Sequence, residues 1–232
     1  MQQSLRQQAQ TKAVRVRYWS RFLARLTYPR DIPLLLSIIQ RHRFERLPAE
    51  LWAKLESVTG FLSPNEAGLL YWAAREWPLA GPVVELGSFG GRSTIVFASA
   101  GRKVHAVDAW GDVSVPNLAR YNLHSMQAQF QANIQRAQVE NLITAHRGLT
   151  SVVAQQWNTP AALLFVDAGH DYPDVKDDLA RWCPFLLPGG LLIMHDVLDA
   201  NFLGVTRAAT ELLRDGWHVV TSAGSAVAFS RN

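Results

Sequence analysis

The sequence predicts an α/β fold in which helices cover both faces of a mostly parallel sheet. Short apolar segments typical of strands alternate with helical segments from Pro82 onward. The first strand runs into a glycine-rich turn, as strands of parallel sheets often do before a helix. The last two strands, "WHVVTS" and "AVAFSR", are separated only by "AGS", which is too short for a parallel crossover. We therefore expect the sheet to end in an antiparallel hairpin.

The first well-defined helix precedes this alternation. In "LSPNEAGLLYWAAREW", Ser63 has the position of an N-cap, and Glu66, three residues on, that of its capping-box partner. Proline residues divide the preceding region into shorter helices. We assign residues 61–232 to the main domain and residues 1–60 to a basic helical extension or cap.

The later elements follow in a regular order. The predicted parallel strands are "VVELG", "KVHAVDA", "ITAHRG", "ALLFVDAG" and "LLIMHDV". The predicted helices between and after them are "STIVFASA", "YNLHSMQAQFQANIQRAQ", "SVVAQQW", "DVKDDLARWC" and "GVTRAATELLRD". Strands that are buried on both faces read as continuous apolar runs, and these do.

Composition indicates a globular protein. Of the 232 residues, 48% are hydrophobic and 18% are charged, which favours a sizeable core over disorder. Cys183 is the single cysteine, and its apolar neighbours indicate a structural thiol in a reducing compartment. The sequence has neither the apolar run of a membrane span nor the pattern of a secretory signal. We expect a cytoplasmic protein.

Charge is divided unevenly along the chain. Residues 1–46 contain ten Arg or Lys against Asp31 and Glu45, a net +8, so the remaining residues carry 13 minus 17, or −4. Between residues 16 and 26, apolar residues fall on one helical face and three arginines on the opposite face. These arginines are Arg17, Arg21 and Arg25.

Three surfaces could contact such a helix. It could pack on its own domain or on a partner subunit in a homo-oligomer, or it could bind peripherally to the anionic inner face of a membrane. Nucleic acid is not expected as a partner, because no docking motif or aromatic-studded sheet accompanies the arginines.

Candidate binding residues stand at the ends of the strands. The turn "VVELGSFGGRST" places Glu85, Gly87, Gly91 and Ser93 where a backbone can approach a ligand closely. Its glycines, at 87, 90 and 91, do not have the dinucleotide-binding spacing G-x-G-x-x-G. A turn with a purely structural role could have the same sequence. The motif therefore indicates a binding site only together with candidate residues at other strand ends.

Two further strand ends complete the combination. Asp108 follows the second strand, about 20 residues after the turn, where a carboxylate can accept hydrogen bonds from a ribose diol. Gly148 and Thr150 follow the third strand and could line the space beside a nucleoside base, although "GLTS" also suits a turn with a helix cap.

Together these motifs resemble a known family. The pattern Glu85-x-Gly87-x-Phe89-x-Gly91-x-Ser93, with Asp108, "LLFVDAGHDY" and "LLPGGLLIMHDV", resembles the class I S-adenosylmethionine-dependent methyltransferases. Within that class it is most similar to a bacterial group related to the catechol O-methyltransferases and the macrolide-sugar O-methyltransferases. The likeness covers about residues 61–232 and implies a Rossmann-like, seven-stranded sheet with an antiparallel C-terminal hairpin.

The resemblance implies a role for each matching residue. The methionine end of S-adenosylmethionine would be bound by Glu85 and the backbone of Gly87, Ser88, Phe89 and Gly91, with its carboxylate at Ser93. The ribose would lie at Asp108 and the neighbouring Ala109, and the adenine beside Thr150. Asp167, after the fourth strand, would border both the cofactor and the catalytic centre.

The catalytic positions depart from the catechol enzymes. Those enzymes hold magnesium with an Asp after the fourth strand and an Asp-Asn pair after the fifth, and they use a Lys as general base. The equivalent residues are Asp167, the pair His195-Asp196, and His170. Mg2+ is the expected cation, but a histidine ligand would suit manganese, iron or zinc better. His195 could instead orient Asp196, and a site without metal is a further alternative.

The predicted activity is methyl transfer to a hydroxyl group. His170 would remove the proton, because a neutral imidazole can act as a base near pH 7. His195 is the alternative base, and His170 would then cap the next helix or make a structural hydrogen bond. The loop "WGDVSVPNLARYN" and the N-terminal helices are candidates for a lid. The acceptor could be a small molecule, a sugar or a glycolipid. A methyltransferase-like binding protein without activity and a nicotinamide-dependent oxidoreductase are the alternatives.

One segment contains five aspartates that need separate interpretations. In "FVDAGHDYPDVKDDLARW", Asp167 ends a strand and should point into the site. Asp171 and Asp174 fall in the first turns of the next helix, where negative charge suits the helix dipole. Asp177 and Asp178 are interpreted as solvated surface.

Overall fold

A seven-stranded sheet with the order β3-β2-β1-β4-β5-β7-β6 forms the centre of the protein. The computed structural model describes residues 47–111 and 121–231. The first five strands in this order pair in parallel, and β7 pairs antiparallel with both β5 and β6. The strands are β1 (Val83–Leu86), β2 (Val104–Asp108), β3 (Ile143–Arg147), β4 (Ala161–Val166), β5 (Leu186–Met194), β6 (His218–Ala223) and β7 (Ala226–Ser230). The predicted fold class and C-terminal hairpin are confirmed.

Helices cover both faces of the sheet. They are α1 (Ala49–Glu56), α2 (Pro64–Glu76), α3 (Arg92–Ser99), α4 (Met126–Arg136), α5 (Thr150–Val153), α6 (Tyr172–Trp182) and α7 (Leu203–Arg214). Helices α1 to α4 pack into one hydrophobic cluster, and α6 and α7 pack into a second cluster on the opposite face. Among the described residues, no helix has the length and apolar character that crossing a bilayer requires.

The central strands are buried on both faces, which explains their apolar sequence. Every residue of β1 and β4 is buried. Successive residues point to opposite faces, so that Leu163 and Phe165 join the first cluster, whereas Leu164 and Val166 join the second. Glu85 is the one charged residue in these two strands.

Helix α2 begins as the sequence predicts. The Ser63 hydroxyl accepts a hydrogen bond from the Glu66 backbone N–H at 3.4 Å, and the Glu66 carboxylate accepts one from the Ser63 N–H at 2.8 Å. The predicted capping box is therefore confirmed. The same carboxylate also faces His195, as described below.

The segment before α2 packs on the main domain. Leu47, Leu51, Leu55 and Val58 belong to the same hydrophobic cluster as α2 and α3. Arg92, on α3, connects this segment to the main domain. Its Nε donates a hydrogen bond to the Val58 carbonyl at 3.0 Å, and its Nη1 donates one to the Leu62 carbonyl at 3.2 Å. The domain boundary predicted at residue 60 stays a prediction, while residues 47–58 share the core of the main domain.

Two predicted segments fall outside the part of the chain that the structure describes. They are the basic amphipathic helix at residues 16–26 and most of the predicted lid loop, residues 112–120.

The single cysteine, Cys183, lies within the described residues and is partly buried. Burial raises the pKa of the Cys183 thiol to about 12, so the thiol is protonated at neutral pH, in agreement with a structural role.

Candidate active site

The glycine-rich turn after β1 is tightly packed against the end of β4. Gly87 has a φ of +90°, and a Cβ atom there would lie 2.1 Å from the Asp167 carbonyl oxygen, so that only glycine fits. Gly91, at φ +91°, is the N-cap of α3, and Ser93 is buried in the first turn of that helix. This packing brings the turn next to Asp167, as predicted for a shared site.

Glu85 lies behind this turn and is completely buried. One of its oxygens, Oε2, accepts hydrogen bonds from the hydroxyls of Ser88, at 3.0 Å, and Thr94. The other, Oε1, is buried without a hydrogen-bond partner in the described structure. Burial raises the pKa of Glu85 to about 7, against a lowering by hydroxyl groups that include Ser93. Glu85 thus stabilises the turn through Oε2, while its Oε1 has no hydrogen-bond partner among the described residues.

Asp108 connects the ends of β1 and β2. Its Oδ2 accepts the Phe89 backbone N–H at 2.8 Å, and its Oδ1 accepts the Trp110 N–H at 2.7 Å. Each oxygen can accept a further hydrogen bond, so capacity for a diol remains. Burial raises the pKa of this carboxyl group, which the backbone donors partly offset. Ala109 continues the chain directly behind it, between Asp108 and Trp110.

Thr150 has a partner that the sequence did not indicate. It begins α5, and its hydroxyl donates a 2.5 Å hydrogen bond to Asp178 on α6. The prediction that Asp178 is solvated is wrong, because this side chain is buried. Burial raises the pKa of Asp178 to about 6. Its neighbour Asp177 has a side chain that is 44% exposed and pairs with Arg181, in agreement with the prediction for that residue.

The ends of β4 and β5 bring three candidate catalytic residues together. Asp167, His170 and Asp196 each offer one ligand atom, and these atoms lie within 4.8 Å of one another. His170 Nε2 is 2.9 Å from Asp196 Oδ2 and 3.8 Å from Asp167 Oδ1. The imidazole stacks on the Phe202 ring, with centroids 4.2 Å apart. Within the described residues this is the one group with the donor set of a metal site.

The charge state of His170 follows from this arrangement. Burial by itself lowers the pKa of His170, but hydrogen bonds and charge interactions with Asp167 and Asp196 outweigh it and raise the pKa to about 9. The same contacts lower the pKa of Asp196. His170 is therefore protonated at pH 7 and donates a hydrogen bond to Asp196.

His195 lies behind the two aspartates and outside that group of three. It is buried, and its Nδ1 is 3.3 Å from one oxygen of Asp167 and 3.3 Å from one oxygen of Asp196. Its Nε2 faces Glu66, whose Oε2 is 3.6 Å away. Burial alone lowers the pKa of His195, yet the surrounding carboxylates raise it well above its usual value. The structure thus places His195 as a neighbour of both carboxylates, in the alternative position that the sequence left open for it.

Strained backbone is concentrated at the same edge of the sheet. Phe89, Trp110 and Asp196 have positive φ values of 46°, 40° and 58°, and they follow β1, β2 and β5. Non-glycine residues adopt this conformation at a cost of the order of 1–3 kcal/mol, and such residues cluster at functional sites. Asp196, which carries a candidate catalytic carboxylate, therefore has an unfavourable backbone conformation.

Exposed apolar side chains border this edge as well. In the described part of the chain the large hydrophobic residues that remain exposed are Phe61, Leu149, Val152 and Leu203. Phe61, at 55% exposure, stacks on Phe89 after β1, and the other three follow β3 and β5 in the chain. An apolar rim around polar groups is typical of a small-molecule site.

These residues fit a nucleoside cofactor and a cation. The unpartnered Oε1 of Glu85 and the remaining acceptor capacity of Asp108 suit the amine and diol groups of such a cofactor. Two aspartates and a histidine within one small space suit a divalent cation. The chemistry of the donors therefore agrees with the predicted ligands.

Comparison with known proteins decides the class of the protein. Residues 84–197 match the family model described as a methyltransferase domain. The chain carries a methyltransferase domain. It is a class I, S-adenosylmethionine-dependent methyltransferase by this domain and by its sheet order, and the predicted resemblance is confirmed.

Solved structures of similar fold agree. The O-methyltransferase TomG of Streptomyces achromogenes, which is involved in tomaymycin synthesis and was crystallised with SAM, is 18% identical with a TM-score of 0.58, covering 83% of this chain and 91% of that one. The O-methyltransferase of Bacillus cereus in complex with SAH is 20% identical with a TM-score of 0.59 over 79% and 89%. The SAH-bound methyltransferase PaMTH1 of Podospora anserina is 14% identical with a TM-score of 0.60 over 81% and 89%. At these identities the likeness concerns the fold.

Two residues of the site were not recognised from the sequence. Glu66 was interpreted only as a capping residue, and Ser225 was not singled out. Ser225 donates to Glu66 Oε1 through its N–H at 2.7 Å and its hydroxyl at 2.9 Å. These residues are 159 positions apart, so no local pattern could have revealed the contact.

Proposed function

We propose that this methyltransferase transfers a methyl group from S-adenosylmethionine to a hydroxyl oxygen of a small molecule, sugar or glycolipid, assisted by a divalent cation, with Mg2+ as the expected ion. The observation that carries the proposal is the convergence of Asp167, His170 and Asp196 beside the glycine-rich turn. A pair of carboxylates and a titratable imidazole suits the activation of a hydroxyl group.

Each part of the site has a task in this proposal. The turn with Gly87 to Gly91 and Ser93 would hold the methionine end of the cofactor, Asp108 the ribose, and the segment around Thr150 the adenine. Asp167 and Asp196 would hold the cation, which when bound supplies Lewis acidity that favours the ionised form of the acceptor hydroxyl.

His170 is proposed as the general base. The negative charges of Asp167 and Asp196 raise the pKa of His170. A cation bound to the two aspartates would compensate these charges and lower the pKa of His170, so that the neutral imidazole would be available at pH 7. His170 would take the hydroxyl proton as the oxygen bonds to the methyl carbon and the carbon–sulfur bond breaks, leaving a methyl ether and S-adenosylhomocysteine. General-base assistance contributes about a hundredfold to ten-thousandfold in rate.

Calorimetric titration with S-adenosylhomocysteine tests the cofactor site. We expect the wild-type protein to bind it and Asp108→Asn to bind it about tenfold to a hundredfold more weakly, because a charged hydrogen-bond acceptor is lost. Asp177→Asn, on the exposed face of α6, is the control and should bind like the wild type. A wild-type protein that binds NAD and not S-adenosylhomocysteine, or that binds neither, would contradict the proposal.

His170→Gln tests the role of the imidazole. Transfer of labelled methyl from S-adenosylmethionine to a panel of vicinal diols, aromatic and sugar, should fall about a hundredfold or more in this variant. Binding of Mn2+ as the probe cation, followed by electron paramagnetic resonance, should stay within a few-fold of the wild type. Loss of Mn2+ binding together with activity would instead make His170 a ligand of the cation.

A further inference from the structure

The carboxylate of Glu66 is enclosed by three separate parts of the fold. It lies at the start of α2 and is 6% exposed. Its Oε2 accepts the Ser63 N–H at 2.8 Å, and its Oε1 accepts both donors of Ser225 in the turn between β6 and β7. The turn approaches so closely that a Cβ atom at Gly224 would lie 2.3 Å from Glu66 Oε1. The carboxylate therefore has a single well-defined position.

This carboxylate faces the inner side of His195. Glu66 Oε2 is 3.6 Å from His195 Nε2, and the Ser225 hydroxyl is 3.5 Å from the same nitrogen. The Phe165 ring packs edge-on at a centroid distance of 6.3 Å. The imidazole is 5% exposed and is therefore enclosed by these groups.

The outer side of His195 faces the catalytic carboxylates. Its Nδ1 is equally distant, at 3.3 Å, from Asp167 Oδ1 and Asp196 Oδ1, in ion-pair contacts that lack hydrogen-bond geometry. A ring rotation would move this nitrogen away from both oxygens at once. A buried chain of contacts therefore runs from the start of α2 through one imidazole to the two residues at the catalytic centre.

We propose that Glu66 is a positioning residue of the active site, which orients His195 and through it fixes Asp167 and Asp196. The inference rests on the proposed function of these two aspartates. Capping alone does not account for the arrangement, because Oε2, which accepts the capping bond, also faces His195 Nε2, while Oε1 is bound by the distant Ser225 turn. Side chains that contact the ligands of a metal ion commonly orient those ligands and thereby tune the affinity for the metal.

The full-length variant Glu66→Gln tests this role, with Mn2+ as the probe. Glutamine keeps the size of the side chain but has one acceptor oxygen in place of two. We expect Mn2+ to bind about tenfold more weakly, as is typical when a group that orients a metal ligand is changed. In the background His195→Gln, the change at Glu66 should cause no additional loss, since its effect passes through the imidazole.

The control variant is Ser63→Ala. It removes the other half of the capping box, the hydroxyl that accepts from the Glu66 N–H, and leaves the Glu66 carboxylate in place. Its melting temperature should fall while its Mn2+ affinity stays at the wild-type value. A Glu66→Gln variant that loses melting temperature and keeps full Mn2+ affinity would overturn the proposal, as would additive effects of the changes at Glu66 and His195.

A second measurement does not depend on cation binding. Two-bond proton–nitrogen spectra of histidine-labelled protein, assigned with His195→Gln, report the environment of both His195 nitrogens. We expect Glu66→Gln, but not Ser63→Ala, to shift the Nε2 resonance. An unchanged resonance would overturn the positioning role. A wild-type protein without Mn2+ affinity would contradict the proposed cation and leave this spectroscopic result to decide on Glu66.

Discussion

Glu85 shows how a buried carboxyl group links the site to the stability of the fold. Its pKa is about 7 in the folded protein, compared with an ordinary value of 4.5, because burial penalises the charged form. The folded state therefore binds a proton more tightly than the unfolded state does. Its contribution to stability is present below about pH 4.5 and is lost as the pH rises through 7.

Glu85→Gln should remove this dependence. The difference between the two pKa values corresponds to about 3 kcal/mol between pH 4.5 and pH 8. Urea denaturation at a series of pH values should show that the variant gains in free energy of unfolding relative to the wild type as the pH rises. Glu140→Gln, at an exposed position, serves as the control. Parallel pH curves for the wild type and Glu85→Gln would contradict the prediction.

At the scale of residues, the sequence predicted which side chains stand at the strand ends better than it predicted their contacts with distant residues. Strand ends predicted that Asp108 and Asp167 would lie along one edge, since the carboxyl ends of parallel strands share that edge, and the family resemblance added Asp196. Asp178 could have been predicted to be buried, because it falls on the helical face of Val175, Leu179 and Trp182. Its hydrogen bond with Thr150 could not, since the partners are far apart in the chain.

At the scale of elements, the docking of α7 determines the position of the loop that carries His170. Gly204 lies in the first turn of α7, and a Cβ atom there would be 2.4 Å from the Tyr172 nitrogen and 2.6 Å from the His170 carbonyl oxygen. On the same side Phe202 stacks on the His170 ring. Helix α7 and the loop after β4 therefore form one packed unit.

Gly204→Ala should destabilise the protein by about 2 kcal/mol. Alanine is favoured over glycine in helices by about 1 kcal/mol, but the collision with backbone atoms forces a larger cost of overpacking. Urea denaturation measures the difference. Arg214→Ala, at an exposed position near the end of α7, should change the stability by no more than about 0.5 kcal/mol. A gain in stability for Gly204→Ala would show that helix propensity outweighs packing.

Elements with a strong apolar pattern were the predictable part of the fold. The five parallel strands and the final hairpin have the predicted order in the chain, because their apolar runs and turns are local signals. The short helix α5, by contrast, has only four residues, none of which is fully buried, and only Val153 packs against the second cluster. Its position depends on contacts with α6, which a local pattern does not contain.

At the scale of the whole molecule, charge is separated along the chain. Residues 1–46 carry +8 and the remaining residues −4. We propose from the sequence that the arginines of the predicted helix at residues 16–26 bind an anionic membrane surface, which would bring a lipid-linked acceptor close to the enzyme. A positive charge near such a surface contributes about 1 kcal/mol.

Neutralising three of these arginines tests the proposal. The full-length variant with Arg17, Arg21 and Arg25 changed to Gln should bind anionic liposomes about a hundredfold more weakly in a co-sedimentation assay. A matched variant changes three exposed basic residues of the described domain to Gln, namely Lys54, Lys103 and Arg214. Equal losses in both variants would attribute binding to overall charge, and no loss in either would end the proposal.

The contact between Glu66 and Ser225 has a consequence for the order in which the enzyme matures. Helix α2 precedes all seven strands in the chain, and the turn that encloses its glutamate belongs to the last hairpin. During synthesis on the ribosome, the parallel strands and the aspartates at their ends therefore exist before their support is complete. In the nascent chain the Glu66 carboxylate lacks both Ser225 donors until the last hairpin has been synthesised, so we expect this contact to be among the last to form.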